Sequence, residues 1–181
     1  MVILLGKTAT GKDTIINKLV NEHGFKKLIT YTTRPARKGE ENGITYHFIS
    51  EDNFKQKIKD DFFAEWKTYD TEFGTWYYGT ALEDLQNADD KTVIILTPDG
   101  LKDIKDRVHN IFSIYIFADN NTIVNRLIRR GDNPNEANRR LQHDNDDFLG
   151  IENIVDTIIF NNKETKIDKV VARILESIER S

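Results

Sequence analysis

Gly6, Gly11 and Lys12 stand at the spacing G-x-x-x-x-G-K, with Lys7, Thr8, Ala9 and Thr10 between them and Asp13 and Thr14 after them. Glycines at those places let a loop wrap with its N–H groups turned inward. A helix that starts at the end of such a loop adds positive potential, and the lysine reaches outer phosphate oxygens as a mobile point charge. Residues 6–14 are therefore the candidate cradle for a nucleoside triphosphate. The strict pattern has Ser or Thr directly after the lysine, where this chain has Asp13. Thr14 becomes the candidate ligand for Mg²⁺ or an α-phosphate, with Asp13 able to hold the metal through water.

A second concentration of charge lies further on. Arg126, Arg129, Arg130, Arg139 and Arg140 are five of the chain's ten arginines, gathered within residues 126–140. Phosphoryl transfer spreads negative charge over the moving group, and placed arginines supply on the order of 10³ to 10⁵ in rate. The plainer account is a solvated helical face paired with Asp132, Glu136 and Asp144, and it suits Arg129 and Arg139 best.

Placing these groups requires a scaffold, and the apolar pattern supplies one. Val2 to Leu5 is a short apolar run stopped by Gly6, and Ile15, Ile16, Leu19 and Val20 recur at helical spacing, so the phosphate loop joins a strand to a helix. Gly24 ends that helix and residues 25–29 return as a strand. Residues 91–96, 111–117 and 157–160 are further buried-type strands, each followed by a helical pattern. The alternation predicts an α/β fold with a parallel sheet flanked by helices on both faces. Two segments interrupt it. Residues 30–80, rich in Tyr, Thr and Phe, read as an inserted β unit, with residues 44–49 alternating like a half-exposed antiparallel strand. Residues 119–148 read as two helical stretches broken at Gly131–Pro134, a hinged hairpin. Thr80 followed by Glu83 predicts a capping box, and Thr97-Pro98 a helix start.

Composition narrows the partners. A chain of 181 residues makes one domain, and a net charge of −4 offers no broad basic surface for a nucleic acid polymer. The absence of cysteine excludes thiolate chemistry and fits a reducing cytoplasm. No membrane-spanning run or targeting leader is expected, and the four histidines lack metal-ligand spacing.

Beyond the phosphate loop, five separated blocks resemble the guanylate kinase family over nearly the whole chain. They are Thr32-Thr33-Arg34-Pro35-Ala36-Arg37-Lys38-Gly39-Glu40 with Asn42-Gly43 and Tyr46-His47-Phe48; Phe63-Ala64-Glu65-Trp66; Tyr77-Tyr78-Gly79-Thr80; Arg126-Leu127 through Arg130; and Arg139-Arg140-Leu141. The resemblance implies a P-loop nucleoside monophosphate kinase with a five-stranded parallel sheet. Its core would be residues 1–29, 81–118 and 149–181, its acceptor-binding insertion 30–80 and its lid 119–148.

The resemblance also implies roles. Arg34, Arg37 and Tyr46 would clamp the acceptor's phosphate, and forked guanidinium donors suit that task. Thr30 and Glu65 would meet the guanine edge, where a carboxylate accepts from N1–H and the exocyclic amine. Tyr78, Gly79 and Thr80 would complete the GMP site. Arg130, Arg140 and Arg126 would join Lys12 in the transfer, and Asn161 would touch the adenine edge. One block departs from the family. Where an Asp-x-Asp run is usual, this chain reads Leu96-Thr97-Pro98-Asp99-Gly100, which puts a metal or base contact in question.

The expected reaction is Mg²⁺-dependent, in-line transfer of the γ-phosphate of ATP to GMP or dGMP by a cytoplasmic monomer or homodimer, with free nucleotides as partners. The alternatives are a kinase for another nucleoside monophosphate or a sugar phosphate, and a catalytically silent interaction module of the same fold.

Overall fold

The computed structural model describes residues 1–71, 74–163 and 165–181, and all of their side chains except that of Glu136. Along the chain, β1 (Val2–Leu5) runs through the phosphate loop into α1 (Lys12–His23), and β2 (Lys26–Lys27), β3 (Tyr31–Thr32) and β4 (His47–Phe48) follow. Next come α2 (Glu51–Lys59), the long strands β5 (Phe63–Thr71) and β6 (Gly74–Ala81), and α3 (Leu82–Gln86). The chain continues with β7 (Thr92–Ile95), α4 (Pro98–Lys105), β8 (Phe112–Phe117), α5 (Asn120–Arg130) and α6 (Pro134–Asp147). A 3-10 turn (Ile151–Asn153), β9 (Thr157–Phe160) and α7 (Ile167–Glu179) complete it.

Five strands form one parallel sheet in the order β2-β7-β1-β8-β9. Burial on both faces explains why the central strands read as unbroken apolar runs. Within β1 the side chains alternate: Ile3 and Leu5 enter the core under α3 and α4 with Leu85, Leu101 and Ile104. Val2 and Leu4 enter the opposite core, where α1 supplies Ile15, Ile16 and Leu19 and α7 supplies Val170, Val171 and Ile174. A third, smaller cluster joins Ile123 and Leu127 of α5 to Ala137 of α6, with Ala9 of the phosphate loop packed against it.

The second sheet has the order β4-β3-β6-β5 and carries Trp66 on β5 and Trp76 on β6. Here two expectations are corrected. The strand expected over 44–49 is only His47–Phe48, and it pairs parallel with β3, not antiparallel. Residues 44 and 45 belong to a turn in which both N–H groups donate to the Glu41 carbonyl, and Ile44 is exposed. Their alternation was turn composition. The loop 33–46 is long enough to bring the chain back in the same direction, which a two-residue hairpin is not. The capping box at Thr80 is also absent: Thr80 ends within β6, and α3 starts from Ala81 with no side-chain cap. The start at Thr97 stands, its Oγ1 accepting from the Gly100 N–H at 3.1 Å with Pro98 opening α4. Gly131 closes α5 at φ 79°, so the expected hinge falls between α5 and α6.

Candidate active site

In the parallel sheet, the segments after β1, β7, β8 and β9 leave from the carboxyl edge, the edge at which open α/β sheets bind ligands. The phosphate loop follows β1 there. Gly6 is required by packing, because a Cβ would lie 2.6 Å from Thr10 Oγ1 and 2.8 Å from the Ile116 carbonyl. Thr10 Oγ1 donates to the Lys7 carbonyl at 2.9 Å, and Gly11 turns the chain into α1 at φ 95°. Lys12 folds back into the loop, its Nζ donating to the carbonyls of Gly6 at 2.5 Å and Lys7 at 2.9 Å. Burial lowers the Lys12 ammonium to a pKa of about 8, against the opposing pull of Asp13 and Asp144. Asp13 and Thr14 lie exposed on the first turn of α1.

The helices α5 and α6 reach this loop. Asp144 Oδ2 accepts the Thr8 N–H at 2.5 Å, and Lys7 Nζ donates to Asn145 Oδ1 at 2.6 Å. Burial raises the Asp144 carboxyl, while the Thr8 N–H and Lys12 hold it down. Arg126 Nη1 donates to the Ala9 carbonyl at 3.1 Å, and its Nη2 to the Asn161 carbonyl at 2.9 Å. Asn161, which directly follows β9, is buried with its Nδ2 donating to the Thr10 carbonyl at 2.8 Å. Arg130 lies on the exposed side of α5 and forks onto Asp132 in the hinge turn, with Nε at 2.6 Å from Oδ1. Arg140 is exposed on α6 and adds to the positive charge that holds the Asp132 carboxyl down, after Arg130 itself. Glu136 lies outside the described side chains.

The second sheet assembles the other group of candidates. Arg34 is buried beneath Tyr46 and Phe48, with its guanidinium 5.5 Å and 5.8 Å from their ring centres. Glu40 receives it as a fork, Nη2 to Oε1 at 2.8 Å and Nη1 to Oε2 at 2.9 Å. Glu40 Oε2 also accepts the backbone N–H of Arg37 at 2.7 Å, while the Arg37 side chain is exposed. Tyr46 stands 6.1 Å from Tyr78, ring to ring, and its burial raises the phenol pKa. Thr30 is half-buried at the start of the unit, its carbonyl accepting from the His47 N–H at 2.8 Å.

Glu65 is buried because the pairing of β5 with β6 is irregular between Phe63 and Glu65, a bulge that leaves Phe63, Ala64 and Glu65 all inside. Its Oε1 accepts the Thr80 hydroxyl at 2.5 Å, and its carboxyl is raised by burial with Thr80 pulling the other way. It lines a cavity of about 460 Å³ with Trp66, Asp103 and Arg107. Gly79 has a packing reason: a Cβ there would lie 2.9 Å from both Phe54 and Phe63, whose rings stack at 4.3 Å. Asp99 is exposed and faces Lys67 and Lys102, each at 3.3 Å.

Three contacts were not foreseen. Glu40 is the partner of Arg34, Asp144 reaches the phosphate-loop amide of Thr8, and Asn161 bonds the loop's own carbonyl. Of these only Glu40 had a sequence signal, an acid six residues after a buried arginine in one loop.

The guanylate kinase family profile matches residues 1–179. A guanylate kinase of Campylobacter jejuni strain RM1221 is 33% identical over 171 residues, covering 90% of this chain and 81% of that protein. A guanylate kinase of Prochlorococcus marinus subsp. pastoris is 31% identical over 183 residues, covering 98% of this chain and 97% of that one. In fold, the chain resembles the crystal structure of guanylate kinase from Anaplasma phagocytophilum, with a TM-score of 0.70, 22% identity and coverage of 99% and 85%. With the profile spanning both the phosphate loop and the second sheet, the chain belongs to the guanylate kinase family.

Proposed function

We propose that transfer of the γ-phosphate from ATP to GMP or dGMP, the reaction of this family, runs in this chain between the phosphate loop and the second sheet. The observation that carries the reading is Lys12: an ammonium folded onto loop carbonyls at the head of a helix, in a loop that directly follows a parallel strand. Residues 6–14 hold the triphosphate through main-chain N–H groups, and Lys12 exchanges its carbonyl partners for the outer phosphates.

On the acceptor side Arg34 and Arg37, with Tyr46 and Tyr78, hold the monophosphate, and Glu40 keeps Arg34 aimed. Glu65 and Thr80 read the guanine edge with Thr30, while Gly79 lets β6 lie close over the phenylalanine rings. The lid arginines Arg130 and Arg140 neutralise the charge that spreads over the moving group, Arg130 leaving Asp132 to do so, and Arg126 adds its charge from its place on the Ala9 and Asn161 carbonyls. The transfer is direct and in line, with no covalent intermediate.

Asp13 and Thr14 fit Mg²⁺ as an exposed carboxylate and hydroxyl beside the loop, since this ion keeps most of its ligands as water and phosphate. Held there, Mg²⁺ would supply positive charge that offsets the charge of the phosphates. Among the described residues no helix is long and apolar enough to cross a membrane. We place the enzyme in the cytoplasm as a monomer or homodimer, with core 1–29, 81–118 and 149–181, acceptor unit 30–80 and lid 119–148.

The test is a coupled assay across the eight ribo- and deoxynucleoside monophosphates with wild type and Glu65→Ala. A carboxylate left without donors against the wrong base costs about 1–3 kcal/mol, so wild type prefers GMP or dGMP over AMP and CMP by at least about tenfold. The preference falls in Glu65→Ala. Equal phosphorylation of several bases by wild type removes the guanine-reading role from Glu65.

A further inference from the structure

Between β9 and the lid, one side chain ties the phosphate loop from behind. Asn161 is 4% exposed, its own N–H donates to the Phe117 carbonyl at 2.7 Å, and its Nδ2 donates to Thr10 O at 2.8 Å. Arg126 spans the same place, with one nitrogen on Ala9 O and the other on Asn161 O. The carbonyls of two successive loop residues are thus held by two side chains that reach them from different elements.

We infer that Asn161 and Arg126 form a clasp that sets the peptide orientations of the phosphate loop, making Asn161 a positioning residue of the donor site and not a reader of the adenine edge. The physical reason is the planar trans peptide: a carbonyl and the N–H that follows it point in opposite directions. Fixing Ala9 O and Thr10 O on the clasp turns the N–H groups of Thr10 and Gly11 to the other side, where the Thr10 N–H makes a long contact of 3.4 Å to the Lys7 carbonyl. Ala9 at φ 55° and Gly11 at φ 95° both occupy left-handed backbone, which for Ala9 is held only where its surroundings over-determine it. Gly11 is also the residue that lets the clasp close, because a Cβ there would lie 2.7 Å from Asn161 Nδ2. One Nδ2 N–H of this buried amide is committed to Thr10 O, which anchors the side chain to the loop.

The inference rests on the phosphate loop being the donor site, and a ligand without a base separates the two. Inorganic tripolyphosphate, ATP, GTP and GMP are titrated calorimetrically into wild type, Asn161→Ala and Arg126→Lys, with circular dichroism and melting curves to confirm folding. Asn161→Ala weakens tripolyphosphate, ATP and GTP by a common factor of about tenfold while GMP binding stays within about twofold. Arg126→Lys, which keeps the charge but cannot span two carbonyls, weakens the same three ligands. Loss of ATP affinity alone, with tripolyphosphate unchanged, makes Asn161 a base contact and overturns the clasp; so does unchanged binding of all three. Weakening of GMP by the same factor marks general damage and overturns it too. Wild type that binds no tripolyphosphate sinks the donor-site reading itself. Should Asn161→Ala fail to fold, Asn161→Asp, equal in size but without the donor, is read in the same way.

Discussion

The phosphate loop and the second sheet hold their polar groups with different materials. In the loop most partners are main-chain carbonyls, Lys12 on Gly6 and Lys7, Asn161 on Thr10 and Arg126 on Ala9, with the side-chain pair of Lys7 and Asn145 as an exception. On the second sheet side chains hold side chains, Arg34 by Glu40 and Glu65 by Thr80, across a strand register that a bulge sets. A site made of backbone depends on where glycines stand and tolerates few Cβ atoms, as Gly6 and Gly11 show. One made of side chains can be retuned one residue at a time.

The sharpest break in this contrast is Lys12→Ala. Removing the only charge that the loop folds inward is expected to lower kcat/KM about a hundredfold or more, with the melting transition still cooperative. A coupled assay beside a thermal melt checks both, and near wild-type turnover would return the loop to a plain strand–helix turn.

Glu40→Gln is the corresponding cut on the acceptor side, with a smaller effect of about tenfold on the KM for GMP and none on the KM for ATP. A rise in the ATP value instead would show that the two regions are not independent. The same variant tests pH dependence. The Arg34 guanidinium, first, and the Arg37 N–H hold the Glu40 carboxyl down to about 2. Because its folded value lies below its unfolded one, the pair's stabilisation is present above the ordinary carboxylate range and is lost as pH falls toward 2. The melting temperatures of wild type and Glu40→Gln should converge on acidification from about pH 5.

Asp144→Asn carries the smallest effect. Asp144 holds the Thr8 N–H that the proposed reading assigns to phosphate, and one partly exposed charge contact is worth about 0.2–1 kcal/mol. Replacing it should lower the KM for ATP by up to about fivefold and leave that for GMP alone. A raised KM for ATP would show that the carboxylate assists nucleotide binding.

Much of the parallel core was legible because burial on both faces leaves its mark in composition, as at Val2–Leu5 and Thr92–Ile95, and because glycines punctuate α1 at both ends; the edge strand Thr157–Phe160 is apolar too, yet Ile158 and Phe160 are exposed. The second sheet was less so. Ile44 to Ile49 alternates as a strand does, yet a turn on the Glu41 carbonyl consumes its first half. Thr80 has the residue type of a helix cap, but its hydroxyl goes to Glu65 across the sheet, a contact that only strand pairing creates. In the phosphate loop the spacing of Gly6, Gly11 and Lys12 predicted the strand, loop and helix that the structure has. Asp144 and Asn161 reach the same loop from 136 and 151 residues away, distances over which no local pattern speaks.

The chain has two tryptophans, and both stand on the second sheet, Trp66 partly exposed on β5 beside Glu65 and Trp76 on β6. Neither the phosphate loop nor α5 and α6 carries an indole. The protein is thus optically labelled on one side only: its intrinsic emission reports on the second sheet, and under the proposed reading stopped-flow fluorescence of the unmodified chain would follow the arrival of GMP there.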